Sequence, residues 1–127
     1  MKKFRVKVTY GSREPYRIEK VRYHYFDDKK KLAKRLYQLY TKRKEIGILR
    51  IEVSEKLPYG RGYRAPFAVY PHGWSLMWRF YAIIANELNI NPLKGENRTN
   101  IHYYIAANPW IPLEKRKELS GEAWNEW

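Results

Sequence analysis

Residues 4–44 read FRVKVTYGSREPYRIEKVRYHYFDDKKKLAKRLYQLYTKRK. Up to Phe26 the apolar positions recur every second residue; after Asp27-Asp28 they recur every three to four. The segment therefore predicts two strands followed by a helix. Phe4, Val6, Val8 and Tyr10 alternate with Lys3, Arg5, Lys7 and Thr9, as in a strand with one side buried and a basic side in solvent. Gly11 to Pro15 has turn composition, and Tyr16 to Phe26 resumes the extended pattern with a change of phase. Tyr16 and Ile18 lie on one parity, and Val21, Tyr23 and Tyr25 on the other. A bulge near Glu19-Lys20 reconciles them, and the two strands are expected as a hairpin.

Asp27 or Asp28 supplies a side-chain cap for a helix running to about Lys44. Leu32, Ala33, Leu36, Leu39 and Tyr40 gather on one side of it, and Lys31, Lys34, Arg35, Gln38 and Lys42 on the other. Ile46 to Val53 is apolar on both parities and predicts a strand central in its sheet. Pro58 to Pro66, with Gly60 and Gly62, has no period and reads as a loop or hairpin tip; Phe67 to Tyr70 is a short strand before Pro71-His72-Gly73. Trp74 to Leu88 is apolar nearly all round. Only Ser75, Arg79, Ala82 and Asn86 form a narrow polar or small stripe, so this helix is expected at the centre of the core. A short helix over 100–107, with a strand through Tyr103-Tyr104-Ile105 as the alternative, and a last helix over Leu113 to Leu119 follow, with Pro109 and Pro112 between them.

The expected fold is α+β: a small, mainly antiparallel sheet built from the N-terminal hairpin and a central strand, with an amphipathic helix, packed on a hydrophobic helix, and a helical C-terminal region. At 127 residues the chain is one domain, 1–127. Within it, 1–57 is a basic ββαβ part, 58–73 a Tyr/Arg/Gly loop with a short strand, and 74–127 mainly helical.

Charge is unevenly spread. Residues 1–44 hold 16 of the 26 Lys and Arg against four acids, a balance of +12, and the other 83 residues carry only +1. A segment like that attracts polyanions. Aromatic residues make up 17% of the chain, led by 12 Tyr and 5 Trp, and such side chains fill cores or stack on bases. No cysteine is present, which excludes disulfides and thiolate chemistry. No stretch approaches the roughly 18 apolar residues of a membrane span. Met1 to Arg5 lacks a following apolar region, against a secretory signal, so a cytoplasmic protein without a membrane partner is expected. The lack of Cys and the abundance of Lys, Arg, Ile and Tyr lean towards a thermophilic source, while seven Asn lean away. A compact basic chain of this kind suits a small viral, archaeal, plasmid or ribosome-associated protein.

Two sets of residues fit nucleic-acid recognition, of DNA or RNA alike. Lys31, Lys34, Arg35 and Lys42 on the helix, with Lys3, Arg5 and Lys7 on the first strand, would form one phosphate-contacting face if hairpin and helix pack side by side. In the loop, Tyr59, Arg61, Tyr63 and Arg64 alternate rings and guanidinium groups, which suits stacking on unpaired bases. Arg61-Gly62-Tyr63 begins like the strand signature of RNA recognition motifs. Arg64 then stands where Gly or Ala is needed, Pro66 interrupts the strand and the element order differs, so no role is carried over. A basic face that only aids solubility, and tyrosines that pack back on the core, are the plainer alternatives.

A metal-dependent nuclease needs converging carboxylates, and Glu52, Glu55 and Lys56 with Asp27 or Asp28 form the one plausible set. Against it, the aspartates already suit capping and Glu52 neighbours Arg50. His24, His72 and His102 have no metal-ligand spacing, and the Asn97-Arg98-Thr99 sequon has no meaning without secretion. Trp110, Trp124 and Trp127, among Glu114, Glu118, Glu122 and Glu126, suit docking on this domain or on a partner. The expectation is a non-enzymatic nucleic-acid-binding protein with no cofactor. The rivals are a protein-interaction or virion structural module and the nuclease, and a homodimer pairing two basic faces is compatible with either binding role.

Overall fold

The computed structural model describes residues 2–95 and 104–121. The elements are β1 (Phe4–Arg13), β2 (Tyr16–Phe26), α1 (Lys29–Thr41), β3 (Ile48–Glu55), β4 (Ala68–Tyr70), α2 (Trp74–Leu88) and α3 (Leu113–Ser120). A further helical stretch covers 104–106. Among the described residues the strands form one antiparallel sheet in the order β2-β1-β3-β4, and the fold is α+β. The sequon at 97–99, His102, the start of the expected 100–107 helix, and Glu122, Trp124, Glu126 and Trp127 lie outside the described residues. Among the described residues no helix is long and apolar enough to cross a membrane.

Period-two burial in β1 fixes the layering. Phe4, Val6, Val8 and Tyr10 are buried on one side, and Val6 and Val8 sit opposite Val53 and Ile51 of β3. Onto this face α1 lays Leu32, Leu36, Leu39 and Tyr40, and α2 lays Phe80, Tyr81 and Ile84. Residues from all three sequence parts thus share one core. Its aromatic centre is edge-on packing, with the Tyr40 ring 5.2 Å from Tyr70 and 5.7 Å from Tyr81. Burial, and then the neighbouring Tyr40 phenol, pushes the Tyr81 hydroxyl well above its ordinary value, so it stays neutral. Asn89 ends α2 in the left-handed region, at φ 54°.

The structure shifts several expected boundaries. The hairpin turn narrows to Glu14-Pro15, because Gly11, Ser12 and Arg13 still pair with Ile18, Arg17 and Tyr16. β3 starts at Ile48 rather than Ile46: Gly47 takes a φ of 66°, which breaks the extended run, and Ile46 is exposed. α1 ends at Thr41, with Lys42 as its cap, so Lys42 to Lys44 belong to the connection. β1 is as interior as β3, and β2 is an edge strand exposed on both faces. Arg17, Lys20 and Arg22 discourage pairing of that long edge with another strand.

Candidate nucleic-acid interface

The odd-numbered residues of β1 point away from both helices. Arg5 pairs in register with Tyr25 and Ser54, Lys7 with Tyr23 and Glu52, and Thr9 with Val21 and Arg50. Directly opposed residues share a face, so these side chains lie together on the side of the sheet that carries no helix among the described residues, with Thr9 and Ser54 buried there. β2 reaches that surface along its whole length because of a bulge. Lys20 pairs with Tyr10 but Ile18 pairs with Gly11, leaving Glu19 as the extra residue. The phase change therefore puts Tyr16, Ile18, Val21, Tyr23 and Tyr25 on one side, at 66%, 53%, 40%, 46% and 46% exposure. β3 bulges at the same level, where Thr9 pairs with Arg50 but Tyr10 with Ile48. Gly11 lies where the two irregularities meet. A Cβ there would overlap the Arg17 carbonyl oxygen and come 2.9 Å from Leu49 Cδ1.

The β3–β4 connection extends this surface. Lys56 bridges Tyr63, Leu57 N–H donates to the Gly62 carbonyl at 3.0 Å, and Arg64 N–H donates to the Glu55 carbonyl at 2.8 Å. The expected loop is thus a hairpin extension with its tip at 58–61. The Tyr63 ring lies 5.9 Å from Tyr25, and its hydroxyl donates to the Lys2 carbonyl at 2.8 Å. Burial, then the Tyr25 phenol, raises the Tyr63 hydroxyl above its ordinary value and keeps that donor protonated. The Arg5 guanidinium sits 5.3 Å from the Tyr23 ring centroid and 4.9 Å from that of Tyr63. Its Nε is buried and makes no hydrogen bond. Glu52 is held between Lys7 at 3.9 Å and Arg50 at 3.8 Å, ion pairs of the half-exposed kind that contribute little to stability. The result is a tyrosine platform with cations among the rings.

The residues expected to form one basic face fall into separate places. Arg5 and Lys7 lie on the helix-free surface, and exposed Lys3 stands just ahead of β1, its backbone N–H donating to Asp27 at 3.1 Å. Lys31 and Lys34 are exposed on the far side of α1, whose apolar side faces the opposite surface of the sheet, and Lys42 is exposed at its C-cap. Convergence of the two sets is therefore corrected: α1 packs on the Val6–Val8 face, and strand alternation sends Arg5 and Lys7 the other way. Arg35 is half-buried, and its Nη1 donates to Gln38 at 3.4 Å. With Arg22 it adds positive field at His24, whose imidazole is lowered below its ordinary value first by burial and then by those cations. In the loop, Tyr63 joins the platform, Tyr59 stands at the tip with 79% exposure, Arg61 is exposed, and Arg64 turns to a cavity on the helix side.

Tyr23, Tyr25 and Arg50 were not singled out by the sequence. The usable signal was there: a bulge that brings five apolar residues onto one side leaves an apolar row opposite the basic parity of β1. The carboxylates of the nuclease reading do not converge. Glu52 faces the platform, Glu55 lines the helix-side cavity, Asp27 accepts the Lys3 N–H, and Asp28 caps α1 through Lys30 N–H at 2.7 Å. Among the described residues no three His, Cys, Asp or Glu side chains form a group that could hold a metal ion. Comparison with known proteins adds no assignment: no family model, no curated protein and no solved structure matches the chain.

Proposed function

We propose that this protein is a non-enzymatic nucleic-acid binder that takes single strands across the helix-free surface of its sheet. The observation that carries the reading is the arrangement of Tyr23, Tyr25 and Tyr63 around Arg5, with Lys7 and Arg50 beside them. Unpaired bases have two π-faces to stack on exposed rings, each worth about 1–3 kcal/mol, and the neighbouring cations answer the phosphates between them. A duplex hides its bases and gains only the electrostatic part. The lysines of α1 supply long-range attraction from the other side of the molecule rather than direct contacts with the stacked strand.

The test is a titration of labelled single- and double-stranded DNA and RNA at several salt concentrations. Three to five phosphate contacts give a log–log salt slope of roughly −2 to −3.5 on single strands, and single strands are expected to bind more tightly than duplexes. No binding at low salt overturns the reading. A second reading has its own support in the apolar row Tyr16, Ile18, Val21, Tyr23 and Tyr25, which would also seat an apolar surface of another protein. Association that is insensitive to salt would favour it.

A further inference from the structure

A cavity of about 620 Å3 opens on the helix side of the sheet, at the end where Phe4 pairs with Glu55. That volume lies within the roughly 300–1,000 Å3 typical of small-ligand sites. Its walls are apolar from Phe4, Leu32, Phe67 and Trp110. α2 contributes Arg79, Ala82 and Asn86, three of the four residues in the stripe that interrupts its otherwise apolar surface. Lys29, the first residue of α1, and Arg64 of the β3–β4 connection bring the cations to three, from three separate parts of the chain. Glu55 and Glu87 also line the cavity, yet among the described residues no ion pair joins Lys29, Arg64 or Arg79 to a carboxylate. The Arg79 guanidinium lies 4.1 Å from the Trp110 ring centroid. Its Nε, and the Oδ1 of Asn86, are buried without hydrogen bonds, while the Asn86 amide nitrogen donates to the Trp110 carbonyl at 3.1 Å.

We propose that this cavity binds a nucleoside monophosphate, with the phosphate answered by Lys29, Arg64 and Arg79 and the base held against the apolar wall around Phe67 and Trp110. The lining selects that class. Three cations against two carboxylates leave a single net positive charge, which suits the small charge of one phosphate far better than that of a triphosphate. The carboxylates call for hydrogen-bond donors on the same ligand, which exocyclic amines and sugar hydroxyls provide and a fatty acid does not. The nucleotide has two sources, a free molecule or the end residue of a strand. The second source rests on the sheet-surface reading and has a short route: Tyr63 and Arg64 are consecutive residues, one on the platform and the next in the cavity.

The experiment is a titration of the isotopically labelled full chain, followed by NMR at the Trp110 indole and the Asn86 side-chain amide. The probes are each of the four ribonucleoside monophosphates, inorganic phosphate, and short oligonucleotides with phosphorylated or hydroxyl ends. At least one monophosphate is expected to shift both signals to saturation, and more strongly than inorganic phosphate. Ala65→Trp, placed on an exposed loop residue of the lining, fills the mouth without touching the core and is expected to weaken binding by about tenfold or more. The Trp110 and Asn86 signals belong to the cavity lining and not to the platform, so their shifts separate this site from the sheet surface. Tighter binding of phosphate-ended oligonucleotides that disappears in Ala65→Trp identifies the strand end as source; equal binding of the two ends, with a monophosphate still bound, identifies the free nucleotide. Both results support the site. If no monophosphate or phosphate-ended oligonucleotide moves the Trp110 and Asn86 signals, or if Ala65→Trp leaves affinity intact, the proposal is overturned.

Discussion

On the proposed reading, Arg5 is the side chain that meets a phosphate. Two tyrosine rings, 5.3 and 4.9 Å from its guanidinium carbon, hold the group in place before any ligand arrives, so less side-chain freedom is lost when a phosphate is contacted. Tyr25, beside Tyr63, carries the stacking half of the same arrangement. Tyr25→Ala is expected to weaken single-strand binding by about 1–3 kcal/mol, measured as the change in Kd by fluorescence anisotropy; an unchanged Kd would remove Tyr25 from the interface. Residue-level legibility was uneven for a physical reason. Sequence pattern marks Arg5 and Tyr63 as exposed and suitable, but their contact depends on a hairpin extension that hydrophobic period does not reveal. His24 offers a second residue-scale test. It faces the α1 side from β2, opposite Val6, with burial first and then Arg35 and Arg22 opposing its protonation. The folded chain thus binds the imidazole proton less tightly than the unfolded chain, whose pKa is about 6.5. The stability this represents is complete above that value and is lost as pH falls through the window down to the lowered folded pKa. Between about pH 7 and pH 5 the wild type is therefore expected to lose more thermal stability than His24→Gln. Parallel Tm–pH curves for the two proteins would contradict this.

At the scale of elements, α1 violates one local preference and obeys the rest. Its first turn is Lys29, Lys30 and Lys31, cations at the positive end of the helix dipole, where each is unfavourable. The offset is the Asp28 carboxylate, accepting from Lys30 N–H at 2.7 Å and Lys31 N–H at 3.4 Å. Asp28→Ala removes both the cap and the nearest opposing charge and is expected to cost about 1–2 kcal/mol in urea unfolding. A loss below about 0.3 kcal/mol would mean the lysines are already screened. The bulge in β2 was legible because two parities in one strand cannot both face a core, and the span of α2 because Gly73 and Asn89 bracket an apolar run. The buried side of β1 was legible as well, since Val6 and Val8 alternate with Arg5 and Lys7; what the pattern did not bring out is that α1, packed on the Val6–Val8 face, carries Lys31 and Lys34 away from Arg5 and Lys7. Gly11 is the element-scale test of the bulged level. With its Cβ position filled by the Arg17 carbonyl and Leu49, Gly11→Ala is expected to destabilise by about 1–3 kcal/mol. It should also shift the amide signals of Val21 and Tyr23, the residues that the bulge aligns; a stable variant with an unmoved β2 would show that the strand accommodates the methyl group elsewhere.

Across the whole molecule, the excess charge of residues 1–44 is divided by the sheet into two fields. Arg5 and Lys7 belong to the platform, and Lys31 and Lys34 to the outer side of α1. On the proposed reading, a single strand stacked on the tyrosines would lie within contact distance of the first pair only. Cations in contact release counterions when they meet phosphate, and each contributes about −0.7 to the log–log salt slope on single strands. Cations beyond contact alter the approach of the strand through a field that salt screens within about 10 Å at 0.1 M. The two pairs are therefore expected to differ in kind as well as in size. Arg5→Gln with Lys7→Gln should make the slope shallower by about 1.4 and raise Kd mainly through faster dissociation. Lys31→Gln with Lys34→Gln, which removes the same formal charge, should leave the slope nearly unchanged and act on the association rate at low salt. Stopped-flow association and dissociation rates for the two double variants, measured over a range of salt, separate these behaviours. Equal effects on slope and on dissociation would mean that strands bind around α1 as readily as on the sheet, and the platform would then have no special claim to the ligand.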